Sequence, residues 1–84
     1  MGYRCTFDSR IYVNPSDKFC IIKVRTKDKT IPREAQSNQY YRDRQIRFTA
    51  VGYDLPMTDA VEMELEGEWV KGKYGMQLQV DAWQ

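Results

Sequence analysis

Apolar and polar residues alternate along most of this chain, and a period of two marks strands with one buried face. The clearest run is Met76–Gln77–Leu78–Gln79–Val80–Asp81–Ala82, apolar at every even position. Val61–Glu62–Met63–Glu64–Leu65–Glu66 alternates as cleanly, with the odd positions apolar. In Ile46–Val51, Ile46, Phe48 and Ala50 share one face and Arg47, Thr49, Val51 and the following Tyr53 the other. Phe19–Thr26 places Cys20, Ile22 and Val24 inward and Phe19, Ile21, Lys23 and Arg25 outward. Tyr3–Val13 is a weaker first strand, with Tyr3, Cys5, Phe7, Ile11 and Val13 inward.

Turn residues separate these runs. Asn14–Pro15–Ser16–Asp17 combines side chains that cap turns with a proline that fixes φ. Lys71–Gly72–Lys73–Tyr74–Gly75 predicts a tight hairpin between the last two strands, and Asp54–Leu55–Pro56 ends the third. The segment Lys27–Arg44 is long and polar, and its Ile31, Ala35, Tyr40 and Tyr41 form no stripe. It is expected to be a mobile insertion with at most a turn or two of helix, opened by Pro32. Five short strands joined by turns predict an all-β fold, a small antiparallel barrel. The two forms that fit are an SH3-like barrel and a five-stranded oligonucleotide/oligosaccharide-binding (OB) barrel. The long first and fourth strands, and the long polar insertion between strands 2 and 3, favour the OB form.

The chain has 84 residues, 42% of them apolar and 30% charged. That is room for one small domain, residues 1–84, and too apolar for disorder. The longest apolar run is Phe19–Cys20–Ile21–Ile22, far short of a membrane span, so a cytoplasmic location is expected. There is no histidine, and the only cysteines are Cys5 and Cys20. The commonest general base and the commonest zinc ligand are therefore missing, which points away from an enzyme and toward a binding module. Both cysteines face inward by parity, as packed free thiols in a reducing compartment. The net charge of +1 hides a split: eleven Lys/Arg and five Asp/Glu up to Phe48, then two and seven. One side of the fold is thus suited to an anionic partner.

Gly67–Glu68–Trp69–Val70–Lys71–Gly72–Lys73 matches the opening of a phosphate-binding loop, GxxxxGK. Tyr74 stands where Ser or Thr would hold magnesium, and the next stretch alternates as a strand and not as a helix. A hairpin with two glycines accounts for it. The outward row Glu62, Glu64, Glu66 and Glu68 reads as solvated charge that repels phosphate. Trp69 is inward by parity. Trp83 is outward, a ring that a continuation of the chain would cover if this is an excised domain.

The outer faces of the second and third strands carry the sharper hint. Rings interleaved with Lys and Arg suit single-stranded nucleic acid, whose bases stack and whose phosphates need cations. Phe19, Lys23, Arg25, Arg47 and Tyr53 are the candidate nucleic-acid-binding residues, with Tyr12, Lys71, Lys73 and Tyr74 from nearby loops. The same patch also suits docking onto a protein or a neighbouring domain.

Three stretches resemble one family. Ile11–Val24, reading IYVNPSDKFCIIKV, looks like the strand, N-x-E-N-G-F turn and strand near the amino terminus of RecD-like ATP-dependent DNA helicases, the exonuclease V alpha-subunit-like proteins. Ile46–Tyr53, IRFTAVGY, is similar to their V-x-G block. Leu65–Val80, LEGEWVKGKYGMQLQV, is similar to their G-x-W…h-x-x-G-x-Q-h-x-h block and is the more specific match. Lys18 departs from the family's usual Gly, and Lys27–Arg44 is longer than in typical members. The resemblance implies an amino-terminal OB-like domain of a 5′-to-3′ DNA helicase with roles in repair or recombination. It implies ATP and magnesium for the parent protein and none for this chain. The parent's motor domains are the implied partners, single-stranded DNA is the partner hypothesised from the ring and cation patch, and no catalytic residue carries over.

Overall fold

Each alternating run becomes a strand that finds two neighbours, so the sheet closes on itself. The computed structural model describes residues 2–37, 39, 41–73 and 75–84. The strands are β1 (Gly2–Val13), β2 (Phe19–Thr26), β3 (Ile46–Tyr53), β4 (Met63–Gly72) and β5 (Gly75–Trp83). Their order around the ring is β1-β2-β3-β5-β4, closed by pairing of β1 with β4. Among the described residues no helix is long and apolar enough to cross a membrane.

The sheet is mixed, which corrects the antiparallel expectation. Four of the pairs are antiparallel, but β3 and β5 run parallel, with Ala50 beside Leu78 and Val51 beside Gln79. The direction follows from closure. Since β4 runs opposite to β1, and β5 opposite to β4, β5 must lie along β3 in the same sense.

The Asn14–Asp17 turn forms as expected. The Asn14 carboxamide oxygen accepts from Ser16 N–H at 2.9 Å, and the Asp17 carboxylate from Phe19 N–H at 3.0 Å. Lys18 has φ 66, the left-handed region that favours glycine. A glycine would adopt this angle without the steric cost that a side chain carries. The GxxxxGK stretch lies on β4 and the hairpin beyond it, closed by the Gly72–Gly75 pair, with φ +100 at Gly75. Strand β5 follows it.

Inside the ring, Tyr3, Cys5, Cys20, Ile22, Val24, Phe48, Ala50, Met63, Leu65 and Leu78 pack into one core. Fully burying one of the larger of these side chains contributes roughly 1.5–3 kcal/mol. Trp69 meets Phe48 and Tyr3 edge-on, with ring centroids 5.2 and 5.3 Å away, and its Nε1–H donates to Tyr3 Oη at 2.9 Å. Both cysteines are buried and free; Cys20 lies opposite Val13. Burial, with a smaller push from Glu62, raises the Cys5 thiol to about 12.

Parity fails at the irregularities. Register shifts between Phe7 and Ser9, and between Arg10 and Tyr12, break the alternation of β1, so Ile11 is 42% exposed and not in the core. Val61 precedes β4 and is exposed. Trp83 is 44% exposed, as parity placed it, and pairs with Leu65 beyond a register shift between Glu66 and Gly67. Gly67 is required at that shift, because a Cβ there would run into the backbone carbonyl of Gln79. The connection between β2 and β3 is not wholly polar. Ile31 and Ala35 are buried in the core, and Arg33–Ala35 forms a short 3₁₀ helix.

Candidate nucleic-acid interface

Residues directly opposite in an antiparallel pair share a face. The β2–β3 register sets Phe19 against Tyr53, Ile21 against Val51, Lys23 against Thr49 and Arg25 against Arg47. On the other flank of β2, Tyr12 of β1 lies opposite Ile21. The predicted residues of these three strands therefore do share one outer surface, but its two ends differ.

At the end near the β1–β2 turn, three rings form a row. Phe19 and Tyr53 meet edge-on with centroids 5.5 Å apart, and Tyr12 and Phe19 are 6.5 Å apart. Tyr53 is 63% exposed and Tyr12 47%. Beside the row runs a groove of about 350 Å³, with Ile21 and Val51, Ile11, Tyr12 and Phe19 on its walls and Lys73 and Gln77 at the β4–β5 side. Lys71 is exposed on β4 but does not line it. Tyr74 lies outside the described residues.

At the other end the arginines are held by carboxylates, Arg47 buried and Arg25 half-buried. Arg47 is 8% exposed, which corrects its expected place on the open surface. Its Nη1 donates to Asp43 Oδ1 at 2.6 Å and its Nη2 to Asp8 Oδ1 at 3.3 Å. The guanidinium also lies 3.9 Å from the centroid of the Tyr41 ring. Asp8 is shared with Arg25, whose Nη1 reaches its carboxylate at 3.4 Å and the Phe7 carbonyl at 3.0 Å. The hydrogen bond from Arg47, with another from Gln45 N–H, holds the Asp43 carboxyl below its ordinary value, and the same bond raises Arg47. Two carboxylates thus neutralise two of the predicted cations. Lys23 lies between the two ends, half-buried and with no ion pair among the described residues.

Glu64, Glu66 and Glu68 occupy β4, which the ring order places between β5 and β1, away from β2. Glu62 precedes the strand and pairs with Arg4 across 3.4 Å of open surface. Among the described residues, no three acidic or cysteine side chains are placed to hold a metal ion.

Sequence reasoning missed Ile11 and Gln77 of the groove, and the Asp8–Asp43–Tyr41 cradle around Arg47. Asp43 stands four residues before Arg47, a spacing visible in the sequence. Asp8 comes from a distant strand and left no such signal.

The model of one protein family, described as the OB-fold domain of the ATP-dependent DNA helicase YrrC, matches residues 2–84. No curated protein and no solved structure gave a significant match.

Proposed function

This chain belongs to the OB-fold domain family of the ATP-dependent DNA helicase YrrC, and from that premise we propose that it is an accessory nucleic-acid-binding domain that contacts single-stranded DNA beside the motor. One observation carries the reading: the ring row Tyr12–Phe19–Tyr53, exposed at Tyr12 and Tyr53 and half-buried at Phe19, beside an apolar groove with Lys73 at its side and Lys23 further along the same face. Unpaired bases stack on such rings whatever their identity, and the lysines offset phosphate charge. Arg25 and Arg47 hold the frame in place and are not the main phosphate partners. On this reading ATP, magnesium, unwinding and any part in repair or recombination belong to the rest of a cytoplasmic parent helicase. The GxxxxGK stretch of this chain does not fit a nucleotide, because a strand hairpin has no helix amino terminus to offer its phosphates.

The test is fluorescence anisotropy of a labelled oligothymidylate with the 84-residue chain across a salt series. Binding is expected to weaken with salt by about 0.7 in log–log slope per phosphate contact, and to be lost on replacing Phe19 and Tyr53 by Ala. No binding at low salt, even at high protein concentration, would sink the reading. It would favour docking on a motor domain or repair partner instead. A specific feature supports that second reading: Tyr53 and the exposed Trp83 share a further groove with Leu55 and Val80.

A further inference from the structure

Beyond Lys23, the chain that leaves β2 returns to the sheet. Ala35 is buried in the core, and Ser37 N–H donates to the Arg47 carbonyl at 2.9 Å, so residues 33–37 form a wall beside β3. Between wall and sheet lies a cavity of about 330 Å³. Lys23 of β2, Arg47 and Thr49 of β3, and Arg33, Glu34 and Ser37 of the wall line it. Arg47 is matched by Asp8 and Asp43, which leaves Lys23 and Arg33 as two cations beside one exposed carboxylate, Glu34. Lys23 and Arg33 make no ion pair among the described residues, and the Asp8 and Asp43 partners of Arg47 are not among the lining residues. Arg47 Nε is buried and has no hydrogen-bond partner.

We propose that this cavity is a binding site for a phosphate group. Phosphate oxygens accept from ammonium, guanidinium and hydroxyl donors, all of which this wall and sheet supply. Excess positive charge in a concave site concentrates anions. Arg47, held by Asp43, Asp8 and Tyr41, fixes the floor of the site, while Lys23, Arg33, Ser37 and Thr49 supply the donors. The site lies four residues along β2 from Phe19, roughly 13 Å at strand spacing. A strand whose bases stack on the rings therefore brings a phosphodiester within reach of it. In that form the inference rests on the reading above, while a free phosphate group would use the same donors.

Two arms separate these sources. In the first, inorganic phosphate is titrated into the ¹⁵N-labelled chain at constant ionic strength. Saturable shifts are expected at the amides of Lys23, Ser37 and Thr49. They should vanish in Arg33→Gln, persist in Arg33→Lys and be indifferent to Phe19→Ala. In the second, Arg33→Gln should flatten the salt slope of oligothymidylate binding by about 0.7, one phosphate contact. Phosphate shifts without flattening support the site and assign it to a free phosphate group; flattening assigns it to the strand backbone. No saturable shift together with an unchanged slope overturns the proposal, even where the oligonucleotide still binds through its bases. Phosphate binding with no oligonucleotide binding supports the site and overturns only the reading above. Arg33 is exposed, so its replacement leaves the core intact.

Discussion

The two ends of the β2–β3 outer face hold the residue types expected of a nucleic-acid surface, yet only one end presents them. Around Phe19 and Tyr53, rings stand open beside an apolar groove. Around Arg25 and Arg47, the charges are taken up by Asp8 and Asp43, and Arg47 is more deeply buried than most surface cations. A basic residue contributes less to phosphate binding once carboxylates match its charge and burial removes it from water. The ends therefore differ in composition, rings and aliphatic chains at one and arginines at the other, and in the pairing and burial of those arginines.

Substitutions can break this contrast, and the largest effect is expected at the arginine end. Arg47→Leu leaves Asp43 without its ion-pair partner and Asp8 with Arg25 alone, and should cost about 2–3 kcal/mol of stability in urea denaturation. If Arg47 were a simple surface cation, the loss would be within about 0.5 kcal/mol. At the ring end, Phe19→Ala should cost about 1–3 kcal/mol of oligonucleotide affinity by anisotropy, one base stack, and less in stability. Equal losses from both substitutions in both measurements would erase the distinction.

A smaller effect is expected at the turn that leads into the ring end. Lys18→Gly removes a side chain from left-handed backbone and should stabilise the fold by about 0.5–1 kcal/mol, offset in part by the greater freedom of glycine when unfolded. Thermal denaturation should show a rise of roughly 2–6 °C. An unchanged or lowered midpoint would mean that the turn relies on the lysine itself.

The smallest effect is a pH dependence at the arginine end. The Asp43 carboxyl is lowered from 3.8, chiefly by its bond from Arg47. Its contribution is thus present above the ordinary carboxylate value and lost as pH falls through the lowered one. The stability gap between the native chain and Asp43→Asn should therefore be constant above about pH 5 and narrow below pH 4. A gap independent of pH would show that Asp43 acts by shape alone.

Much of the core was legible because alternation is a local property. Cys20, Ile22 and Val24, and likewise Met63 and Leu65, lie where parity puts them, since regular strands turn every second side chain the same way. Parity misplaced Ile11, because a register shift depends on how the neighbouring strand pairs, which local spacing does not encode. The ring row was half legible. Tyr12, Phe19 and Tyr53 could each be placed on a strand or turn, but their adjacency required the register.

The amino-acid sequence by itself determined five strands, their turns, an inward set of apolar residues and a chain without histidine. It also carried the family resemblance, because turn glycines and strand-face residues recur at fixed local spacing. Only the tertiary structure decided that β5 runs parallel to β3, that Ile31 and Ala35 anchor the long connection, and that Asp8 meets Arg25 and Arg47. Each of these joins residues far apart along the chain. Their pairing follows from ring closure and from the cost of leaving charge unmatched beneath a loop, and neither can be read from a window of neighbouring residues.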